Sequence, residues 1–313
     1  MSATLRTVAE SFDELLRRLE LDPTRVALAS QRYASVKGLI ESALSGKTVA
    51  QVGSFRRKTK IRPRNPNDAL DVDAIVSWGD AHHFVSNGSG LSPFAALEIV
   101  RQALVSDKRY KLMSPESEAP TVVLEYADGF KLELIPCFLD KTGAHPRLGG
   151  PACYLVGRSS GSWVAADYEY DSSLITGLNK AESVRGALVP AVKMIKAFVR
   201  NLNLRLSSFH VEILVARVVP SAIADWESRG LQWGYQHVLA QFLSSVSPEL
   251  TGPVALPGSY STPVDSGLFG FELMTMGALL SRFGERAWEL CKRSDRWGAF
   301  EEWRDFFGEP FPG

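Results

Sequence analysis

Residues 69–78 read ALDVDAIVSW, and the acids in that alternating run decide how the rest of the chain is read. In a strand, successive side chains take opposite faces, so Asp71 and Asp73 share one side while Val72 and Ala74 share the other. The apolar side can bury, leaving two carboxylates that repel each other unless a cation sits between them. A hard divalent ion with oxygen ligands, Mg²⁺ or Mn²⁺, resolves that conflict. Glu133, in KLELIP at 131–136, alternates with Leu132 and Leu134 in the same way. Pairing of that arm beside 70–77 would complete a three-carboxylate cluster able to hold two metal ions ~4 Å apart, as in phosphoryl transfer. Alone, D-x-D is weak and reads first as two solvated acids on an edge strand. Upstream, however, VGSF at 52–55 offers a Gly-Ser turn leaving a strand, whose N–H groups and hydroxyl can cradle phosphate oxygens. Turn, paired acids and third acid together point to phosphate chemistry.

Outward from this core, KTVAQVGSF (47–55) reads as a strand entering the turn, and RRKTKIRPRNPND (56–68) as a basic connection. TVVLEYADGFKLELIPCF (121–138) reads as a hairpin turning at Ala127-Asp128-Gly129, because Asp-Gly supplies a favoured turn. Helical spacing marks 6–19 through Val8, Phe12, Leu15, Leu16 and Leu19, then about 22–44 with Pro23 in the first turn. A further helix over 92–107 starts at a Ser92 cap. The Gly-, Pro- and Ser-rich stretch from about 140 to 180 reads as a long active-site loop or lobe connection. Its Trp163 and Tyr168 are candidates for contact with a base. Helical patterns then cover about 184–202, 207–219, 224–246, 271–293 and 295–306. The expected fold class is α+β, bilobed with a central cleft: a catalytic core with N-terminal helices over 1–180, and a helical lobe over 181–313.

The chain has 313 residues, 35 Lys+Arg against 35 Asp+Glu, and 45% hydrophobic residues, the range of soluble globular proteins. No apolar run approaches the ~20 residues a membrane helix needs. The N-terminus has no apolar stretch after a basic start, so no secretory signal is read there. Cys137, Cys153 and Cys291 are too few for a disulfide framework, which points to a reducing, cytoplasmic location. Cys137 reads as a buried small hydrophobe. The five histidines make no metal-ligand spacing with the cysteines. The tryptophans at 226, 233, 288, 297 and 303 read as core of the helical lobe. Zero net charge argues against a protein that coats nucleic acid.

The pattern VGSFRRKTKIRP…LDVDAIV…LELIPCF resembles the nucleotidyltransferase core of the DNA-polymerase-β-like superfamily. LVPAVKMIKAFVRNLNLRLSSFHVEIL (188–214) is similar to the helical part of cyclic GMP-AMP synthase, oligoadenylate synthetase and their bacterial relatives, the CD-NTases. RRLELDPTRVALASQRYASVKGLIESAL (17–44) also looks like the N-terminal helices of the bacterial enzymes. The resemblance spans roughly residues 8–245 and implies a metal-dependent nucleotidyltransferase. Such an enzyme joins NTPs into a cyclic di- or oligonucleotide second messenger, in the relatives a part of anti-phage defence, read by a downstream effector that binds the product.

By the same resemblance, Gly53 and Ser54 hold the donor triphosphate, and Asp71, Asp73 and Glu133 are the catalytic acids and bind two Mg²⁺ or Mn²⁺ ions. Lys196 of KMIK and Ser208 of SSFH grip the donor phosphates, and Phe209 lies against a base. The third acid is Glu133 where many relatives have Asp. On the 184–200 helix Lys193, Lys196 and Arg200 share a face, which is also how a solvated basic stripe would look. Arg56, Arg57, Lys58, Lys60, Arg62 and Arg64 form a run read as a rim attracting NTPs, a solvated loop or, third, a nucleic-acid contact; no Cys/His zinc insertion accompanies it. Two rivals stay open: a transferase modifying a tRNA, antibiotic or protein acceptor, and a catalytically silent nucleotide-binding protein. The chain ends FFGEPFPG, read as an exposed tail. Some bacterial relatives are joined to targets through a C-terminal glycine by a ubiquitin-transfer-like partner, which here would act on Gly313.

Overall fold

The computed structural model describes residues 7–64, 68–80, 90–118, 120–140, 152–156, 161, 163–166, 168–252, 254, 267–293 and 298–312. Gly313, Trp297 and the histidines at 82, 83 and 145 lie outside them.

Two N-terminal helices open the chain, α1 (Val8–Leu19) and α2 (Pro23–Ala43). Thr7 and Glu10 form a reciprocal cap at the start of α1, and Asp22 accepts from the amides of Thr24 and Arg25 at the start of α2. Strand β1 (Thr48–Val52) runs into the one-turn helix α3 (Gly53–Arg56), and β2 spans Leu70–Asp80. Ser92 caps α4 (Pro93–Val105), as its position before Pro93 predicts, and a short α5 (Lys108–Lys111) follows. Strands β3 (Glu116–Glu118), β4 (Thr121–Glu125) and β5 (Phe130–Asp140) complete the central sheet. The β4–β5 hairpin turns at Gly129, whose φ of 76° needs a glycine.

The strand order is β1-β2-β5-β4-β3, with β2 and β5 parallel and the other pairs antiparallel. Leu70, Val72, Ala74, Val76 and Trp78 face a core shared with α2 and α4; Ile75 faces a small cluster with Val52, Ile135 and Cys137. Period-two alternation therefore leaves Asp71 and Asp73 on the side away from the main sheet core.

The 140–180 stretch is not one long loop. It contains β6 (Ala152–Val156), paired with β5, then β7 (Trp163–Ala166) and α6 (Tyr168–Lys180). Trp163 is accordingly a packing residue: its ring meets Phe138 at 4.8 Å and its indole N–H donates to the Leu91 carbonyl at 3.1 Å.

The remaining helices are α7 (Leu188–Asn201), α8 (Ser208–Ser228), α9 (Tyr235–Ser245), α10 (Gly270–Lys292) and α11 (Gly298–Phe307). Two spans expected over 207–219 and 224–246 are divided elsewhere. Pro220 removes one backbone donor, yet Val215, Val218, Val219 and Ile223 keep α8 packed through it, and the break falls near Gly230. The C-terminal residues are a second correction. Phe311 is fully buried, stacked on Phe307 at 5.7 Å and edge-on to Phe12 of α1 at 5.3 Å. Aromatic burial overrides the Gly-Pro composition that suggested an exposed tail. No helix among the described residues is long and apolar enough to cross a membrane.

Candidate active site

The site is built where β1 ends. Gly53 turns the chain out of the strand at φ 72°, and a Cβ there would fall on the Asp73 carboxylate. Glycine is thus required twice, for the left-handed backbone and for the close approach. Antiparallel pairing sets Val52 opposite Asp73, and parallel pairing of β2 with β5 sets Asp73 opposite Glu133. The expected pairing of the Glu133 arm beside the D-x-D strand is therefore present. Burial pushes the Asp73 carboxyl above its ordinary value of 3.8; Lys60 opposes that shift and Asp71 adds to it.

The three acids occupy strand positions that fit a divalent cation: hard oxygen donors, a shared side of the sheet, and one carboxylate whose charge burial leaves under-compensated. They are not gathered into a preformed cage. Among the described residues no three His, Cys, Asp or Glu side chains come together as a metal-holding group. Electrostatics supplies the reason. Asp71 is turned to Lys60, whose Nζ lies 2.9 Å from its Oδ2, so a lysine meets the charge that the sequence reading assigned wholly to metal.

Beneath this face lies a buried ion network. Glu212 of α8, with no exposed surface, accepts from Arg57 Nε at 2.6 Å, Thr59 Oγ1 at 2.8 Å and Lys196 Nζ at 2.7 Å. Lys196 also donates to the Thr59 carbonyl at 3.1 Å. Burial pushes Glu212 up, but Lys196 and Arg57 overcome it and hold the carboxyl below the usual range; burial pushes the Lys196 ammonium down. Two cations against one anion leave a net positive charge under the cleft. Arg57 further lies over the Phe209 ring, 4.8 Å from its centroid.

Of the residues singled out from sequence, Gly53, Ser54, Asp71, Asp73, Glu133, Ser208 and Phe209 line one cleft of about 330 Å³. Lys196 does not line it; with Ser208 and Lys60 it borders an adjoining hollow of about 490 Å³. Ser207, not Ser208, caps α8 by accepting from the His210 amide, which leaves Ser208 as the first helical residue. Tyr168 also lines the cleft, from α6.

Half of the six cations in the basic run are matched by carboxylates. Arg56 pairs with Glu169 through two bonds, Arg57 with Glu212 and Lys60 with Asp71. The other basic face divides similarly: Lys193 pairs with Glu20 at 2.6 Å, and Arg200 donates to the Arg62 carbonyl. Sequence reasoning missed Glu212 and Asp171, which also lines the cleft. A lone acid inside the apolar run FHVEILV, one turn after Ser208, was the available signal for Glu212.

A parallel β2–β5 pair carrying Asp71, Asp73 and Glu133, a Gly-Ser turn beside it and a helical lobe across the cleft form the arrangement expected of a nucleotidyltransferase. Residues 7–148 match the Second Messenger Oligonucleotide or Dinucleotide Synthetase domain, and the chain carries that domain on the CD-NTase fold. It is similar to a probable cyclic nucleotide synthase of Bacillus cereus (strain VD146), 24% identical over 241 residues covering 67% of this chain and 71% of the relative. Among solved structures, Escherichia coli MS115-1 CdnC with ATP superposes with a TM-score of 0.72 at 14% identity, over 97% of this chain and 99% of that one. Bradyrhizobium diazoefficiens CdnG with GTP gives 0.66 at 15% identity, over 96% and 94%. The resemblance seen in the motifs is borne out in both domain and fold.

Proposed function

We propose that this chain joins nucleoside triphosphates by nucleotidyl transfer, and that a second transfer within the linear product closes a cyclic di- or oligonucleotide. The observation that carries the reading is the register of Asp73 with Glu133 beside a glycine that leaves room for the Asp73 carboxylate. Asp71, Asp73 and Glu133 would hold Mg²⁺ or Mn²⁺, which when bound offsets triphosphate charge and acidifies the attacking ribose hydroxyl. The Gly53-Ser54 turn and Ser208 border the same cleft and orient the donor for in-line attack. The hydroxyl oxygen bonds to the α-phosphorus, the α–β anhydride bond breaks, and pyrophosphate leaves. Buried excess charge from Arg57 and Lys196 favours the polyanion without occupying its place.

Incubation with four labelled NTPs and Mg²⁺ or Mn²⁺, followed by mass spectrometry of phosphatase-resistant products, tests the reading. A cyclic product that disappears in Asp73→Asn supports it. Labelling that requires an added tRNA, antibiotic or protein acceptor overturns it in favour of a modifying transferase. A role in phage defence through a product-binding effector belongs to the same proposal, and loss of protection in Asp73→Asn is its test. Conjugation of Gly313 to a partner rests on the resemblance alone and is read from adduct formation with and without that residue.

A further inference from the structure

Next to the two hollows of the active site lies a third cavity of about 380 Å³. Arg18 and Leu19 at the end of α1, Arg62, Pro63 and Arg64 of the basic loop, Arg200 and Asn201 of α7, and Glu309 and Pro310 near the C-terminus wall it. It shares Pro63 and Arg200 with the hollow that Lys60 and Ser208 border. Four guanidinium groups meet one carboxylate here. Arg18 is matched by Glu14 at 2.9 Å, outside the cavity, but Arg62, Arg64 and Arg200 enter none of the ion pairs found among the described residues. The bonds they make go to backbone: Arg62 Nε to the Glu20 carbonyl and Arg200 Nη1 to the Arg62 carbonyl. Arg200 Nε is buried with no hydrogen-bond partner; burial and the Arg64 charge push that guanidinium's pKa down against the opposing charge of Asp68, whose Oδ2 accepts from the Arg64 amide at 2.7 Å.

In the same loop Arg56, Arg57 and Lys60 each find a carboxylate, so three arginines converging outside any ion pair stand out. Like charges brought together in a concave, partly desolvated site repel unless an anion joins them. Guanidinium forks match phosphate oxygens through paired N–H donors. We propose that this cavity is a second anion site, distinct from the donor cleft, that takes a phosphoanhydride. Its ligand is either free pyrophosphate or the triphosphate of an additional nucleotide. The loop that forms one wall also carries Arg57 and Lys60, so an anion held by Arg62, Arg64 and Arg200 braces the segment that reaches the catalytic acids.

The test is calorimetric titration of the full chain with pyrophosphate, ATP, orthophosphate and AMP, in chelator so that the carboxylate cluster contributes little. Saturable binding of pyrophosphate, with orthophosphate and AMP much weaker, is expected. Equal affinity for ATP identifies a nucleotide triphosphate as the ligand; clear preference for pyrophosphate identifies the free anion. Arg64→Gln and Arg200→Gln should each weaken binding about tenfold or more, the loss of a charge-assisted contact. Arg64 makes no side-chain hydrogen bond among those found, so its replacement should leave the melting temperature unchanged and keep the test clean if Arg200→Gln destabilises the fold. Asp73→Asn should leave this binding intact, which separates the second site from the donor cleft and from the proposed reaction. Absence of saturable binding, loss of it in Asp73→Asn but not in Arg64→Gln, or displacement by single-stranded DNA with affinity growing with strand length would overturn the proposal.

Discussion

The buried network around Glu212 makes the most quantitative demand on this structure. Glu212, Arg57 and Lys196 have side-chain exposures of 0%, 5% and 4%, so water screens none of them well. Glu212→Gln keeps the shape but leaves two buried cations without an anion, a class of change that costs about 3–5 kcal/mol. Lys196→Met leaves a neutral Arg57–Glu212 pair, removes the bonds to Glu212 and the Thr59 carbonyl and relieves the burial of an ammonium, for a net loss of about 1.5–3 kcal/mol. With an unfolding entropy of about 2 cal/mol/K per residue, each kcal/mol moves the melting temperature of a chain this long by about 1.5 °C. Glu212→Gln should therefore melt about 5–8 °C lower, and Lys196→Met about 2–5 °C lower. The pH dependence follows in sign. A carboxyl held below its ordinary value of 4.5 contributes stability above that pH and loses it as pH falls toward the folded pKa. Glu212→Gln should flatten that part of the acid limb. Scanning calorimetry across acidic pH, with ATP titrations alongside, reads both effects. A melt unchanged by Glu212→Gln, or a Lys196→Met variant that melts lower than Glu212→Gln, would refute the buried-ion reasoning. A raised KM for ATP in Lys196→Met at unchanged melting temperature would return that lysine to the role of phosphate contact.

Four further expectations follow from the site and the core. Asp73→Asn removes a half-buried acid whose raised pKa disfavours the ionised form, so in chelator it should raise the melting temperature at neutral pH while abolishing turnover. The gain should shrink as pH falls through the raised pKa, because the wild-type group is then protonated too. Gly53→Ala forces a Cβ onto the Asp73 carboxylate and strains a φ of 72°, so activity should fall at least about a hundredfold in a protein that still shows native circular dichroism. Lys60→Met leaves Asp71 without its ammonium and takes a cation from both hollows; KM for ATP should rise several-fold in initial-rate assays, with little change in melting. Phe311→Ala opens a cavity against Phe12 and Phe307 and should cost about 3–5 kcal/mol in denaturant titrations, with KM unaffected.

The parts of the fold that were legible in the sequence are those with a repeating local cause. Alternation in 70–76, the Asp-Gly turn before Phe130, Pro23 in the first turn of α2 and the cap at Ser92 each act within a few residues, and each appears where the pattern places it. Strands β6 and β7 were missed because five and four residues allow too few alternations to stand out from Gly, Pro and Ser. The C-terminal aromatics were missed for a different reason: Phe311 is buried by a helix some 300 residues earlier, and no local pattern encodes a partner at that distance. Lys196 shows the same limit inside the site. Its spacing with Lys193 and Arg200 places all three on one face, yet Glu212 of α8 and Glu20, just past the end of α1, decide what the two lysines do.

That limit bears on how the zero net charge should be understood. Read as a list, the cations of 56–64 suggested an open positive rim facing an acidic cluster. In the fold, Arg56, Arg57 and Lys60 each meet a carboxylate, and the surplus moves to both ends of the series. At one end Asp73 is half-buried with Glu133 as its neighbour in register, and no cation is bonded to it in the contacts found. At the other, Arg62, Arg64 and Arg200 converge outside any ion pair found among the described residues, with Glu309 and Asp68 as the nearby acids. Lys60 sits between the two, bonded to Asp71 and bordering two of the three hollows. The protein thus holds its opposite surpluses apart across one loop, and a metal-triphosphate complex carries the complementary pair of charges in one molecule.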